Sequence, residues 1–145
     1  MIDEEYCLVP THRVKPLTDK INDLSYTEDT IKELRALCVK GREIQDSILK
    51  YVPDEFYVNN IKTNNPLLFV TLQLCNNMCV QNEENQDHMF PLITSLFPSV
   101  EWDIKTATIA LSFVITCTQP GSSHRKFISL QLLEPFLKLP ANDPE

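Results

Sequence analysis

The sequence predicts an all-α fold, a right-handed helical solenoid of about three repeat units without a β-sheet. Only 2 of the 145 residues are glycine, so the tight turns of a β-sandwich or barrel are poorly supplied. Apolar residues recur at helical spacing in segments rich in Leu and Ile. One stretch of the chain also repeats itself further along. With 43% apolar and 23% charged residues, the chain has the composition of one globular domain.

The internal repeat joins CVKGREIQDSIL, which begins at Cys38, to CVQNEENQDHMF, which begins at Cys79. A weaker third copy, TCTQPGSSHRKFI, begins at Thr116 and keeps only apolar positions. A period near 40 residues is that of armadillo and HEAT units, in which two or three helices bury their apolar face on the next unit. At an offset of 41 residues the matching pairs are Cys38 with Cys79, Val39 with Val80, Gln45 with Gln86, Asp46 with Asp87 and Ile48 with Met89. We interpret the recurring Cys, Val and Ile/Met as packing positions.

Capping residues and prolines divide the chain into helices. The spacing of Ser25 and Glu28 is that of a capping box and predicts a helix that Gly41 ends. Asn65 and Pro66 predict the start of a broad, mostly apolar central helix that continues to residue 81. Further helices are predicted at 43–51, 54–62, 86–90, 91–97, 103–118 and 124–133.

These helices form one domain with internal units. Residues 1–26 are the expected N-terminal cap, and residues 27–64, 65–101 and 102–139 form three armadillo-like units before a tail at 140–145. The segment ISLQLLEPFLKL, which begins at Ile128, is apolar on most sides, whereas a terminal unit should be polar outside. We therefore expect the N-terminal part of a longer solenoid, which self-associates through the face of its last repeat.

Charge and hydropathy disfavour several classes of partner. The net charge of −7 opposes binding to nucleic acid and to anionic membrane surfaces. The uncharged segment TATIALSFVITCT has 13 residues, fewer than the roughly 20 apolar residues that span a bilayer. The acidic N-terminus lacks a signal-peptide pattern, and four of the five cysteines lie at apolar helical positions, as reduced thiols do. We expect a cytoplasmic protein without membrane insertion.

The phrase NMCVQNEENQ, which begins at Asn77, resembles the end of the long third helix of an armadillo unit and the start of the next unit. The longer window NNPLLFVTLQLCNNMCVQNEENQD, residues 64–87, resembles the ataxin-10 family, whose units carry an Asn-Pro-initiated helix followed by an Asn-Leu and Glu-Asn-Gln phrase. This resemblance implies a cytoplasmic helical scaffold without catalytic activity. It also implies roles in neuronal maintenance, neurite outgrowth and cytokinesis through the binding of other proteins.

The armadillo resemblance also points to a binding surface. In peptide-binding armadillo proteins, an Asn on the third helix recurs in successive units and holds an extended peptide, with a Trp one turn earlier. Asn77 matches this Asn, but its counterparts are Ala36 and Thr116, and Gln73 replaces the Trp. An equally open interpretation has Asn77 bonding to the backbone of its own turn. The candidate concave surface consists of Lys32, Gln73, Asn77, Ser112 and Thr116.

A secondary candidate surface combines Trp102 with Arg125 and Lys126. The segment SSHRK, residues 122–126, is the main local cluster of positive charge and is expected to face an acidic partner. Trp is enriched at binding hot spots but is also highly buried on average. For Trp102 a buried position at a seam between units is favoured over an exposed one.

A Cys/His-dependent enzyme or a metal-binding helical module is the alternative class. Cys75 and Cys79 are four residues apart on one helix face, and His88 follows nine residues later. Structural zinc needs four ligands, usually with Cys-x2-Cys spacing, and buried thiols are usually inert. Packing in a helical core explains both cysteines, and Glu83 with Glu84 suits the start of a helix. We therefore expect no catalysis, metal or cofactor.

Overall fold

In the described part of the chain, all regular secondary structure is helical, and turns connect the helices. The structure is a computed structural model that describes residues 2–122, 124 and 130–137, with side chains described for 12–122, 124 and 132–137. No strand occurs in these ranges, which confirms the all-α prediction for them. The helices are α1 Ile2–Asn22, α2 Glu28–Leu37, α3 Arg42–Tyr51, α4 Asp54–Asn60, α5 Leu68–Cys79, α6 Glu83–Thr94, α7 Ile104–Cys117 and α8 Leu130–Leu137. None of the helices in the described ranges combines the length and hydropathy needed to cross a bilayer.

The expected N-terminal cap consists mainly of α1, although α1 contains Pro10 and Pro16. An interior proline costs a helix about 3 kcal/mol, because it lacks the N–H group and crowds the preceding turn. Val14, Leu17 and Ile21 offset this cost, since they form a helical stripe that is buried in the core. The stripe lies where α1 packs against α2 and α3.

The start of α2 differs from the predicted capping box. Thr27 precedes the helix, and its N–H donates to the hydroxyl of Thr30 at 3.1 Å. Ser25 instead completes α1, because its N–H donates to the carbonyl of Lys20 at 2.9 Å. The end of the helix is as predicted: a single 3-10 turn at Cys38–Lys40 follows α2, and Gly41 adopts a φ of 138° that favours glycine.

The boundaries of α5 and α6 also differ from the prediction. The side chain of Asn65 accepts the N–H of Leu67 at 2.8 Å in a short turn, so α5 begins three residues after Asn65. The predicted break before Pro91 is wrong, because α6 continues through it. Asn82 caps α6 by accepting the N–H of Asn85 at 3.1 Å, and Pro91 lies on the exposed side of the helix.

The centre of the fold is α5, which contacts α2, α3, α4, α6 and α7. The helices form two series. In the first, α2, α5 and α7 pack side by side, and in the second, α1 packs on α3 and α3 contacts α6. Burial of each large apolar side chain contributes roughly 1.5–3 kcal/mol, which explains why α5 is apolar on nearly every side. The buried apolar residues of α5 are Leu68, Val70, Leu72, Leu74, Cys75, Met78 and Cys79.

An aromatic cluster joins α8 to the rest of the fold. Trp102 is 8% exposed, and its indole N–H donates to the carbonyl of Phe97 at 3.2 Å. The ring of Phe136, on α8, lies 5.1 Å from that of Trp102 and 5.5 Å from that of Phe97. Trp102 is therefore a buried residue between helices and not part of an exposed surface. Arg125 and Lys126, its predicted neighbours in that surface, lie outside the described residues.

Candidate functional site

The five residues of the candidate concave surface lie on three neighbouring helices. Lys32 is on α2, while Gln73 and Asn77 are on α5 and Ser112 and Thr116 are on α7. Because α5 packs between α2 and α7, these side chains share one side of the molecule with the polar residues that they contact. We call this surface the α2–α5–α7 face.

On the α2–α5–α7 face, Arg35 links α2 to α5 through hydrogen bonds. Its guanidinium Nη1 donates to Oε1 of Gln73, and its backbone carbonyl accepts from Nδ2 of Asn77 at 3.2 Å. Asn77 therefore bonds to the backbone of α2 rather than to its own turn. Lys32 forms a 3.3 Å ion pair with Glu28 within α2. The sequence could have placed Arg35 on this face, because Arg35 follows Lys32 by three residues and so lies on the same side of the helix.

Between α5 and α7, two further contacts complete the α2–α5–α7 face. Oγ1 of Thr116 donates to Oδ1 of Asn76 at 2.6 Å. Nearer the start of the helices, the ammonium of Lys105 lies 4.3 Å from the ring centroid of Phe69. Ser112 lies one turn before Thr116 and is half-buried. The helical pattern alone did not predict the roles of Asn76, Phe69 and Lys105, because such contacts depend on how the helices are rotated against each other.

A buried amide cluster closes the end of α5 beneath the α2–α5–α7 face. The last carbonyls of a helix have no partner within the helix. Here side-chain amides supply the donors, so the phrase VQNEENQ has a structural role. Nε2 of Gln45 donates to the carbonyls of Asn77 and Val80 at 2.8 and 3.1 Å, Nδ2 of Asn85 to Met78 at 2.8 Å, and Nε2 of Gln86 to Cys79 at 2.8 Å.

The repeat also places equivalent aspartates in equivalent contacts. Asp46 on α3 accepts from Nδ2 of Asn82 at 2.9 Å, and Asp87 on α6 lies 3.0 Å from Nε2 of His124. In each case the aspartate bonds to a residue that follows the next long helix of the series. The matching pair Asp46 and Asp87 is thus explained by contacts between neighbouring elements of the fold.

The matching valines do not pack in the core, contrary to the interpretation of the repeat. Val39 is 79% exposed and Val80 is 44% exposed. Together with Arg42 and Gln81 they line a groove of about 400 Å³ beyond the end of the α2–α5–α7 face. A second groove, of about 580 Å³, shares Arg42, Val80 and Gln81 with the first and reaches Thr116. The repeat within this chain therefore matches a surface position as well as core positions.

The thiols of the alternative site, Cys75 and Cys79, are buried in the helical core, as is the nearby Cys38. Burial raises the pKa of Cys38 to about 12 and raises the pKa of Cys75. A hydrogen bond with Cys117, together with burial, raises the pKa of Cys79. The protonated thiol is a poor nucleophile and a poor metal ligand, so these environments suppress both kinds of chemistry.

The histidine of the alternative site, His88, contacts Asp54 and neither of the two thiols. Nε2 of His88 lies 2.9 Å from Oδ1 of Asp54, on the exposed side of α6 and α4. Within the ranges that the structure describes, no group of three or more His, Cys, Asp or Glu side chains is placed to hold a metal ion. Cys75, Cys79 and His88 therefore do not assemble into one candidate site there.

Comparisons with known proteins assign no family to the chain. No protein-family model matches it, and searches of the curated proteins and of the solved structures find no match. The armadillo-like arrangement and the resemblance to the ataxin-10 family are accordingly proposals, argued from the chain's own residues.

Proposed function

We propose that this chain is a non-catalytic scaffold of armadillo-like units that binds other proteins through the α2–α5–α7 face. The observation that carries the proposal is a set of polar contacts across three helices: Arg35 contacts Gln73 and Asn77 between α2 and α5, and Thr116 contacts Asn76 between α7 and α5. Such a row presents amides, hydroxyls and cations on a rigid surface, which suits recognition of another polypeptide. It offers neither a nucleophile with an adjacent base nor an oxyanion pocket.

The armadillo-like arrangement is supported by the order in which the helices pack. The helices α2, α5 and α7 pack in series, and a buried cysteine lies at or next to the end of each: Cys38, Cys79 and Cys117. The repeated contacts of Asp46 and Asp87 join successive units in the same direction. Helical repeats that contact mainly their neighbours behave in this way.

The resemblance to the ataxin-10 family extends the proposal to biological role. By that resemblance, the chain is a cytoplasmic scaffold acting in neuronal maintenance, neurite outgrowth or cytokinesis through its protein partners. The amide cluster supports the comparison in one respect, because it gives a structural reason for the EENQ part of the shared phrase.

A pair of matched serine substitutions tests the proposed binding face. Ser112→Tyr places a bulky, uncharged ring on the α2–α5–α7 face, whereas Ser47→Tyr places it on α3, and both serines are half-buried in helices. Capture of cytosolic proteins by the chain should fall at least about tenfold with Ser112→Tyr, as for a residue at the centre of an interface. It should be retained with Ser47→Tyr. Equal capture by both variants would remove this face from the proposal.

Circular dichroism of both variants provides the control for folding. Ser112 and Ser47 make no side-chain hydrogen bond among the described contacts, so neither change leaves a buried partner unsatisfied. Matching helical signals and melting temperatures would assign the difference in capture to the surface itself.

A further inference from the structure

We propose that the segment bound at the α2–α5–α7 face is acidic, a stretch of polypeptide whose Asp or Glu side chains are held between Arg35 and Lys105. This inference rests on the proposed function and specifies the chemistry of its partner. It is carried by the positions of two cations on either side of α5 and by the distribution of carboxylates around them.

A continuous set of contacts connects the two cations. Arg35 on α2 donates to Gln73 on α5, and Phe69 lies one turn before Gln73 on the same helix. Lys105 on α7 lies over the ring of Phe69 at 4.3 Å. Arg35 and Lys105 thus flank a floor made of one half-buried amide and one half-buried aromatic ring.

Neither cation forms a contact ion pair with a described carboxylate, since the ion pairs of the described residues include neither Arg35 nor Lys105. Moreover, α5 and α7 contain no Asp or Glu. Glu28 pairs with Lys32. Hydrogen bonds from Thr106, and to a smaller extent the charge of Lys105, lower the pKa of Asp103, and the carboxylate of Asp103 accepts the N–H and hydroxyl of Thr106 at 2.8 and 2.7 Å.

The two cations contrast with the net negative charge of the whole chain, which has 20 acidic and 13 basic residues. Cations without a contact ion pair attract an acidic segment over a distance of about 10 Å at ordinary ionic strength and repel a basic one. Charge complementarity therefore favours an acidic partner over a basic one.

The two cations are also held in suitable geometry. A guanidinium has five N–H donors in a fixed plane, and the bond to Gln73 orients Arg35 while leaving donors for a carboxylate. The ammonium of Lys105 is positioned by the ring of Phe69 and retains its hydrogen-bond donors. Because both groups are oriented before binding, less side-chain entropy is lost when a carboxylate arrives.

Three fluorescent peptides of one length provide the test. The first alternates Glu with Ser and Leu, the second carries Gln in place of every Glu, and the third carries Lys. Fluorescence anisotropy should show that the native chain binds the Glu peptide at least about tenfold more tightly than the Gln peptide, the scale of one hydrogen bond to a charged group. Binding of the Glu peptide should weaken as salt is added.

Matched variants locate the binding. Arg35→Gln and Lys105→Gln should each lower the affinity for the Glu peptide by about tenfold. Lys50→Gln is the control, since it removes the same charge from α3, where Lys50 also lies over an aromatic ring, that of Tyr51 at 5.3 Å. It should leave the affinity unchanged.

Three results would overturn the acidic partner: equal affinity for the Gln peptide, an equal loss with Lys50→Gln, or no binding of any of the peptides. If Ser112→Tyr still abolished capture of cytosolic proteins in those cases, the face would remain a protein-binding surface with a different preference. If Ser112→Tyr had no effect on capture, the proposed function itself would fail. The two failures are therefore distinguishable.

Discussion

At the scale of single residues, the carboxamide of Gln45 connects three helices. Gln45 lies on α3, donates to two carbonyls at the end of α5, and accepts from Nδ2 of Asn82 at 3.0 Å. With the side chains of Asn85 and Gln86 it satisfies the carbonyls of residues 77–80. Buried carbonyls without donors are costly, so these amides stabilise the helix end that supports the α2–α5–α7 face.

Gln45→Ala should lower the free energy of unfolding by about 1–3 kcal/mol, because the part-buried carbonyls of Asn77 and Val80 lose a donor and Nδ2 of Asn82 loses an acceptor. The control is Gln119→Ala, which removes a similar bond to the carbonyl of Ile115, at 2.9 Å, from an exposed position. Urea unfolding should show a change below about 0.5 kcal/mol for this control. Similar losses in the two variants would contradict the assigned role of the cluster.

The buried thiol of Cys38 should make stability depend on alkaline pH. Its pKa is raised from 9.0 to about 12, so between these values the folded chain keeps a proton that the unfolded chain releases. The contribution is complete below pH 9 and is lost as pH rises toward about 12, with a slope of about 1.4 kcal/mol per pH unit for one thiol.

Urea unfolding at several alkaline pH values measures this slope. Cys38→Ala should reduce it, whereas Val39→Ala, at the exposed neighbouring position, should leave it as in the native chain. An unchanged slope in Cys38→Ala would show that this thiol is not protected from ionisation in the folded state.

At the scale of helices, the sequence predicted most elements because apolar periodicity reflects burial. The helices at Arg42–Tyr51 and Ile104–Cys117 lie close to their predicted limits. The errors occurred where two local signals competed. Ser25 and Thr27 both precede acidic residues, and only packing determines that Ser25 completes α1. Pro91 is a helix breaker in isolation, but burial of the apolar side of α6 outweighs its cost.

The candidate site was predictable only in part. Gln73, Asn77 and Thr116 follow from helical spacing, which gives the residues on one side of each helix. Arg35 and Lys105 were missed because their roles depend on contacts between helices, which the spacing within one helix does not contain. Long, flexible cationic side chains usually indicate only a solvated surface.

The start of α7 provides a test at this scale. Asp103→Ala should destabilise the chain by about 1 kcal/mol, because its carboxylate caps the N–H of Thr106 at 2.8 Å. Asp103→Asn should retain most of the stability, since Asn is an equally good N-cap. Hydrogen bonds from Thr106 lower the pKa of Asp103, so its contribution is present above pH 3.8 and is lost at lower pH. Thermal melts of both variants measure the capping contribution.

At the scale of the whole molecule, α8 contacts the turn at Phe97–Ser99, and the single Trp reports on this contact. Phe136→Ala removes the α8 ring that lies 5.1 Å from Trp102, so Trp102 fluorescence should shift to longer wavelength and be quenched more readily by acrylamide. Leu137→Ala is the control, because Leu137 is 67% exposed. Identical spectra for the native chain and Phe136→Ala would mean that α8 does not dock on Trp102.

The amide cluster at the end of α5 has a consequence for the order in which the chain is made. Gln45 precedes α5 in the sequence, whereas Asn85 and Gln86 follow it. During synthesis from the N-terminus, the last turn of α5 cannot gain all its partners until Gln86 has left the ribosome. A nascent chain that stalls shortly after Cys79 therefore has a central helix with an unfinished end, because α5 depends on the first turn of α6 for its completion.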